Sequence, residues 1–411
     1  MKNIVILGAG TAGTMMANRL RTRLPQRDWA ITVVDRDDAH LYQPGLLFVP
    51  FGAARAEDLV RSRRALFEPG VEVCLEGLER VEPETKSVRL GSGRRLEYDV
   101  LIVATGTRLA PEETPGLTGP GWHQNVFDFY TLAGATALAE RMERFDGGRV
   151  LVHFADLPIK CPVAPLEFAL LADAYFTQRG IRERIELVYV TPLDAAFTKP
   201  RASAMLGDLF ARRNIRLETD FAVSRVDGEH GLMEAYGGAV TNFDLLVTVP
   251  THRGAAAIEA SGLGNEAGFV PTEKHSLRAR HHPDIFVLGD ATDVPTSKAG
   301  SVAHFQAEVL TENVLRHVRG LELLEAFDGH ANCFVESGHG KAVLIDFNYD
   351  TEPLPGRFPL PGLGPFTLLE ESAVNHWGKL GFKWVYWNLL VRGKDLPLDH
   401  RMLLAGKREA A

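Results

Sequence analysis

The sequence predicts an α/β chain: two tandem Rossmann-like dinucleotide-binding domains, then a smaller α+β region at the C-terminus. Three observations carry that expectation. A glycine-rich turn, Gly8-Ala9-Gly10-Thr11-Ala12-Gly13, lies between two apolar runs. A second strand–helix pattern begins near Arg149 and has no such turn. Beyond residue 320 the pattern changes to alternating strands and one aromatic helix. The expected domains are 1–110 with 271–320, then 111–270, then 321–411.

The first unit opens with Ile4-Val5-Ile6-Leu7, and a helical pattern through Met15, Met16, Ala17 and Leu20 follows the glycines. A second apolar run, Ile31-Thr32-Val33-Val34, ends in Asp35-Arg36. Gly8 permits a tight turn, Gly10 lets backbone approach a pyrophosphate, Gly13 lets helix and sheet pack closely, and Asp35 can bond a ribose hydroxyl. The anion would sit on the helix N-terminus. A glycine turn in an ordinary α/β domain is the alternative; the flanking strands and the acid at the expected distance favour the dinucleotide site. Leu101-Ile102-Val103-Ala104 reads as a buried strand that brings Thr105-Gly106 close to the cofactor. Residues 285–288 read as a strand returning to the first domain and ending in Gly289-Asp290.

The chain has 411 residues, enough for two or three domains, and a net charge of −8 that argues against general nucleic-acid binding. No stretch has the pattern of a secretory leader, and no apolar run approaches the ~18–20 residues of a spanning helix. The expected location is cytoplasmic. Of the three cysteines, Cys74, Cys161 and Cys333, a bonded pair would be catalytic rather than structural in a reducing compartment. No metal-ligand spacing of Cys and His appears.

In the second unit the segment after Val150-Leu151-Val152-His153-Phe154 is Ala155-Asp156-Leu157-Pro158-Ile159-Lys160-Cys161-Pro162. It has no glycine, and its two prolines lack N–H donors. The next strand, 185–190, ends in Thr191-Pro192 with no ribose-binding acid. The unit keeps the fold and has lost the nicotinamide site. A helix is expected from about Pro165, which puts Cys161 just before a helix N-terminus, a position that lowers a thiol's pKa.

Other elements read more plainly. Residues 41–67, with Arg61, Arg63 and Arg64, suggest an irregular connection and a helix; 71–74 suggest a half-buried strand; 87–90 and 95–98 suggest a hairpin. Residues 332–335 and 341–349 suggest an antiparallel sheet, and the Pro/Gly-rich stretch 353–365 a linker. Residues 371–391 form a helix with Val374, Trp377, Leu380, Gly381, Trp384, Trp387 and Val391 on one stripe. With Lys379, Lys383 and Arg392 reaching outward, that stripe suits peripheral attachment to the cell membrane; a buried or dimer-forming helix is the alternative.

With these residues in view, the chain resembles the sulfide:quinone oxidoreductases, of the flavin disulfide reductase superfamily, over nearly its whole length. The resemblance rests on residues 8–13 with Asp35, on Ala104-Thr105-Gly106, and on Gly289-Asp290 through Pro295-Thr296-Ser297-Lys298. It rests more specifically on Ile159-Lys160-Cys161-Pro162-Val163-Ala164-Pro165 and on Cys333 in Ala331-Asn332-Cys333-Phe334. It implies FAD, held by Gly8, Gly10, Thr11, Ala12, Gly13, Asp35, Arg36, Ala104, Thr105, Gly106, Gly289, Asp290 and Lys298. It implies a redox bridge between Cys161 and Cys333 that oxidises sulfide to zero-valent sulfur for a sulfur acceptor. Cys333 would keep the added sulfur as a persulfide and Cys161 would pass electrons to the flavin, with the reverse assignment open. Electrons would then reach a membrane quinone, with Phe366 and Tyr386 as candidate contacts. A third upstream cysteine, often essential in the family, has no counterpart in residues 121–131; Cys74 reads as core, and His304 is only a loose acid–base candidate. A type II NADH:quinone oxidoreductase, a flavin-binding membrane sensor without turnover, and a homo-oligomer remain open.

Overall fold

The structure, a computed structural model, describes residues 1–360, 362–396 and 398–407. Ten strands build two parallel sheets: β1 (Lys2–Leu7), β2 (Trp29–Val34), β3 (Val71–Cys74), β4 (Val100–Val103), β5 (Val126–Phe127), β6 (Gly148–Phe154), β7 (Ile185–Val190), β8 (Arg216–Glu218), β9 (Leu245–Val249) and β10 (Ile285–Val287). The first sheet has the order β10-β4-β1-β2-β3 and the second β5-β9-β6-β7-β8. These are tandem Rossmann-like units. Their central strands are continuous apolar runs because parallel sheets are covered on both faces. Ile4 pairs with Ile31 and Val5 with Leu101, while Leu151 pairs with both Val188 and Leu246.

Helix α1 (Thr11–Arg23) leaves β1 through the glycine turn, and α2 (Ala164–Gln178) follows β6 in the second unit. Helix α3 (Gly300–His317) follows β10 and packs on α1. The hairpin at 87–97 is present and gains a third strand, Leu78–Glu82. The expected helix within 41–67 does not form. Gln43–Phe51, Ala56–Leu59 and Arg64–Leu66 are 3₁₀ segments, and Pro50 denies the first of them the donor that an α-helix would turn to the Leu46 carbonyl.

The C-terminal sheet has the order β11-β12-β14-β13, with β11 (Ala331–Gly338), β12 (Lys341–Phe347), β13 (Gly356–Leu360) and β14 (Gly364–Leu368). The stretch expected as a linker is therefore an edge hairpin. Pro359 faces Pro365 near its tip, beyond the single β12–β14 pair at Leu344 and Leu368, where a missing donor breaks no interior ladder. Helix α4 (Ala373–Val385) is capped by the Ser372 hydroxyl and continues into one π-helical turn, Tyr386–Leu390.

That turn splits the aromatic stripe. Val374, Trp377, Leu380 and Trp384 are exposed, Trp377 by 69% and Trp384 by 62%, whereas Trp387 and Val391 are buried. A π turn bonds i to i+5 and rotates the register by about one residue, so a stripe read at constant helical spacing changes face there. No helix among the described residues is long and apolar enough to cross a membrane.

A methyl at Gly13 would lie 1.8 Å from the Gly8 carbonyl oxygen, so the backbone would have to move. Gly13→Ala is expected to cost about 1–3 kcal/mol and to lower the thermal midpoint by a few degrees. Gly10 has φ −78° and nothing within 4 Å of its added Cβ, so Gly10→Ala leaves the midpoint unchanged. Equal calorimetric midpoints for the two variants would contradict this packing role.

Candidate functional site

The glycine turn is a tight cradle. Gly8 has φ +97°, and its added Cβ would meet the Ala104 carbonyl oxygen at 2.4 Å. An added Cβ at Gly289 would lie 3.1 Å from Ala12 Cβ, so the β10 end packs against the first turn of α1. Gly10 faces open space, and no side chain caps the α1 N-terminus. Asp35 Oδ2 accepts from Ala9 N at 2.7 Å and lies 3.1 Å from Arg63. Arg36 turns outward to Asp37 at 3.3 Å. Thr105 Oγ1 and Gln306 Nε2 are buried without a protein partner. An open helix start, an acid at the second strand end and two unpartnered polar atoms, one after β4 and one on α3 beside Gly289, fit FAD.

Between β6 and α2 the chain takes residues 155–163, against residues 8–10 in the first unit. This longer loop crosses to the first unit. Lys160 bridges Lys298, and Cys161 N donates to Lys298 O at 2.7 Å. Tyr130 Oη donates to Lys160 O at 2.8 Å and approaches Cys161 O at 3.2 Å. Cys161 has φ +46°, a left-handed conformation that costs a non-glycine residue free energy. The Lys298 ammonium donates to the carbonyls of Asp290 and Thr292, both at 2.8 Å, and lies over the Phe269 ring. Burial draws its pKa down to about 8, against the pull of Asp290.

Cys333 enters from β11, and both Cys161 and Cys333 are free. Between their elements lies a buried polar group. Glu167 of α2 accepts from the Glu336 backbone N at 2.7 Å and pairs with the Lys379 ammonium. Lys379 also donates to Phe334 O at 3.0 Å, next to Cys333. Glu336 in turn bonds His376 at 3.0 Å, and His376 reaches the surface on α4. Glu167 Oε2 is buried and unpartnered. For Lys379, burial opposes the charge, but Glu167, Cys161 and Glu336 outweigh it and hold the ammonium charged.

Two expectations are corrected here. Lys379 reaches inward, not outward: Asn375, Lys379, Phe382 and Tyr386 form an inner stripe beside the exposed one. Asn375, fully buried, fixes that stripe by bonding Thr367 and Ala342. The Cys161 thiol is raised, not lowered. Burial, Glu167 and Cys333 push it up, and the Ala164 N–H at the helix start, although present, is outweighed. Burial and Glu167 likewise push Cys333 up to about 12.

Cys74 is buried in β3, with Arg94 and Glu76 on its sulfur at 3.1 and 3.4 Å. His304 is buried against Glu308 at 3.3 Å, and burial holds its pKa at about 4. Phe366 packs edge-on against Phe334 under α4. Tyr386 is fully buried and bonds Thr11 of the glycine turn. Glu167, Glu336 and His40 carry no motif in the sequence, and Arg63 stands out only as one of three arginines in 61–64, so none reads as a site residue; the polar members of the inner α4 stripe were the available signal.

The pyridine nucleotide-disulphide oxidoreductase family matches residues 2–307. The chain belongs to this family. Among similar family proteins, the mitochondrial sulfide:quinone oxidoreductase of Mus musculus is 24% identical over 397 residues, covering 95% of this chain and 86% of that protein. The mitochondrial enzyme of the same name from Schizosaccharomyces pombe is 26% identical, covering 95% and 90%. The crystal structure of the sulfide:quinone oxidoreductase from Aquifex aeolicus superposes with a TM-score of 0.79 at 20% identity, covering 96% of this chain and 92% of that one. Members of this flavoprotein oxidoreductase family bind FAD.

Removing the Glu167 carboxylate removes a charge that raises Cys161. Glu167→Gln is expected to speed alkylation of Cys161 by iodoacetamide on the order of tenfold at pH 8. Lys379→Met leaves the carboxylate buried and unpaired, at a cost of about 3–5 kcal/mol. Burial raises the folded pKa of Glu167, so the ionised form is the unstable one. The Lys379→Met deficit is therefore full at alkaline pH and shrinks on acidification as Glu167 takes up a proton. Peptide-resolved alkylation and denaturant unfolding at two pH values measure both. A slower Cys161 in Glu167→Gln, or a deficit that grows in acid, would contradict this assignment.

Proposed function

We propose that the chain is a sulfide:quinone oxidoreductase that uses FAD, Cys161 and Cys333. The observation that carries the reading is that a glycine-free loop, standing where a nicotinamide-binding turn would be, brings a thiol into the same buried polar network as a second thiol from β11. The mouse and fission-yeast relatives, similar over nearly the whole chain, support it. The same loop argues against a type II NADH:quinone oxidoreductase, and the two thiols argue against a sensor without turnover.

FAD, when bound, would supply a two-electron acceptor able to reduce a quinone. Gly8, Gly10, Thr11, Ala12, Gly13 and Asp35 would hold its dinucleotide part, with Ala104, Thr105, Gly106, Gly289, Asp290 and Lys298 along the strand ends. The chain's own residues handle sulfur and protons. In the oxidised form the two cysteines are joined; hydrosulfide attacks one sulfur, leaving a persulfide on that cysteine and a thiolate on the other. Over the cycle hydrosulfide gives up one proton and two electrons, the electrons going to the acceptor that FAD would supply, and its zero-valent sulfur leaves the persulfide for a nucleophilic sulfur acceptor, so that the bridge re-forms. The Lys379 ammonium offsets the anionic charge gathered at the pair. Glu167, with one oxygen free and its carboxyl raised by burial, takes the proton. Both thiols are raised in the reduced pair, so two thiolates do not persist together and one is reprotonated.

The exposed Val374, Trp377, Leu380 and Trp384, together with Leu360 and Leu363 at the β13–β14 tip, suit peripheral attachment to a membrane that holds the quinone. Phe366 beneath α4 remains the candidate quinone contact.

Cys161→Ser and Cys333→Ser are each expected to lose sulfide:quinone turnover by at least about a thousandfold while keeping FAD, since neither residue lies in the cradle. Trp377→Ser with Trp384→Ser is expected to cut co-flotation with liposomes without changing turnover of a water-soluble quinone. Turnover in either cysteine variant at full flavin occupancy would sink the dithiol mechanism; undiminished flotation would sink the attachment face.

A further inference from the structure

The aromatic helix does not end at the surface. After α4 the chain runs along α1, from its glycine end to its last turn. Tyr386 Oη bonds Thr11 Oγ1 at 2.7 Å. Asn18 Nδ2 donates to Val391 O at 2.8 Å, and Asp395 pairs with Arg19 at 2.8 Å and approaches Arg23 at 3.8 Å. Trp387 is buried among His40, Tyr42 and Tyr386, with the Arg61 guanidinium over its ring at 4.4 Å. Arg392 donates to Ala65 O at 2.9 Å. Residues 386–395 thus form a strap along the one helix whose start must meet the cofactor.

The hydrogen bonds at the glycine end have one consistent direction. Burial and the nearby Arg63 hold His40 neutral, with a pKa of about 4. His40 Nδ1 lies 3.1 Å from Ala9 O, which only accepts, so Nδ1 carries the proton. Nε2 therefore accepts from Tyr386 Oη at 2.7 Å. The Tyr386 oxygen is then the acceptor for the Thr11 hydroxyl. Thr11 is thereby turned toward the strap, and its side chain does not compete for the free N–H groups of the helix start. His40 meanwhile fixes Ala9, whose own N–H is held by Asp35.

We infer that Tyr386 is a positioning residue for the dinucleotide loop, so that cofactor binding and docking of the chain beyond α4 are one linked equilibrium. This rests on the FAD reading above. Linkage is reciprocal: FAD that favours the ordered loop favours the docked strap by the same factor, and a docked strap tightens FAD. The exposed face of α4 is continuous with the strap, so the part of the chain proposed to meet a membrane is anchored on the cofactor helix.

The test uses full-length protein, stripped of flavin and reconstituted with FAD, whose fluorescence is quenched on binding. Tyr386→Phe keeps the ring and its packing. It is expected to weaken FAD about tenfold, the loss expected for a buried hydrogen-bond pair. Tyr349→Phe, whose hydroxyl donates to Lys274 O away from the loop, leaves FAD affinity unchanged. Trypsin should cut after Lys383 or Arg392 about tenfold faster without FAD than with it, and Tyr386→Phe should need more FAD for protection. Equal FAD affinity in Tyr386→Phe and wild type, or cleavage rates indifferent to FAD, would overturn the linkage while leaving the FAD reading intact. Failure of wild-type protein to take up FAD would overturn both.

Discussion

One buried ion pair, Glu167 with Lys379, sets the geometry of the site. Glu167 stands on α2, directly after the Cys161 loop, and its carboxylate also takes the backbone N–H of Glu336 on the Cys333 strand. Lys379 comes from α4 and also binds the carbonyl beside Cys333. Three segments distant in sequence are held by two side chains. Such a pair is not a source of net stability, because removing both charges from water costs several kcal/mol. Its value is specificity: each charge is tolerable only while the other elements stay in place, so either thiol element can shift only by exposing or orphaning a charge.

The same pair explains the thiol chemistry. A cysteine before a helix start ordinarily gains acidity from the free N–H groups. Here the carboxylate, the second thiol and burial outweigh that gain, and the lysine only partly offsets them. Both thiols are thereby biased toward the protonated form. In the bridged form proposed above the sulfurs would carry no charge, and Lys379, still paired with Glu167, would be the cation nearest to an incoming anion.

Much of this was legible in the sequence where the signal is local. The glycine turn, its flanking strands, the glycine-free second loop and the alternating strand around Cys333 all sit in the observed elements, because short-range backbone demands and strand periodicity dictate them. What was not legible is what depends on three-dimensional context. Lys379 lies on a mixed polar and aromatic stripe beside the apolar one, and only the sheet beneath decides which of the two is inner. The π turn at 386–390 moves Trp387 and Val391 to the core with no marker at fixed spacing. Pro359 and Pro365 read as breakers, but at an edge they are tolerated. Glu167, one carboxylate among 53 acidic residues, has no sequence neighbour that reveals its lysine.

The second unit repeats the sheet of the first with a different loop. Its sheet order matches that of a nucleotide-binding unit, while the loop that would cradle a phosphate is lengthened and tied by Lys160 and Cys161 to Lys298 in the first unit. On the function proposed above, reductant enters through sulfur and not through a nicotinamide. The most direct test is an anaerobic titration of the flavin-loaded protein, following flavin absorbance on adding NADH and then sulfide. The account predicts an unchanged spectrum with micromolar NADH and prompt bleaching by sulfide. Rapid bleaching by NADH, or none by sulfide, would contradict it.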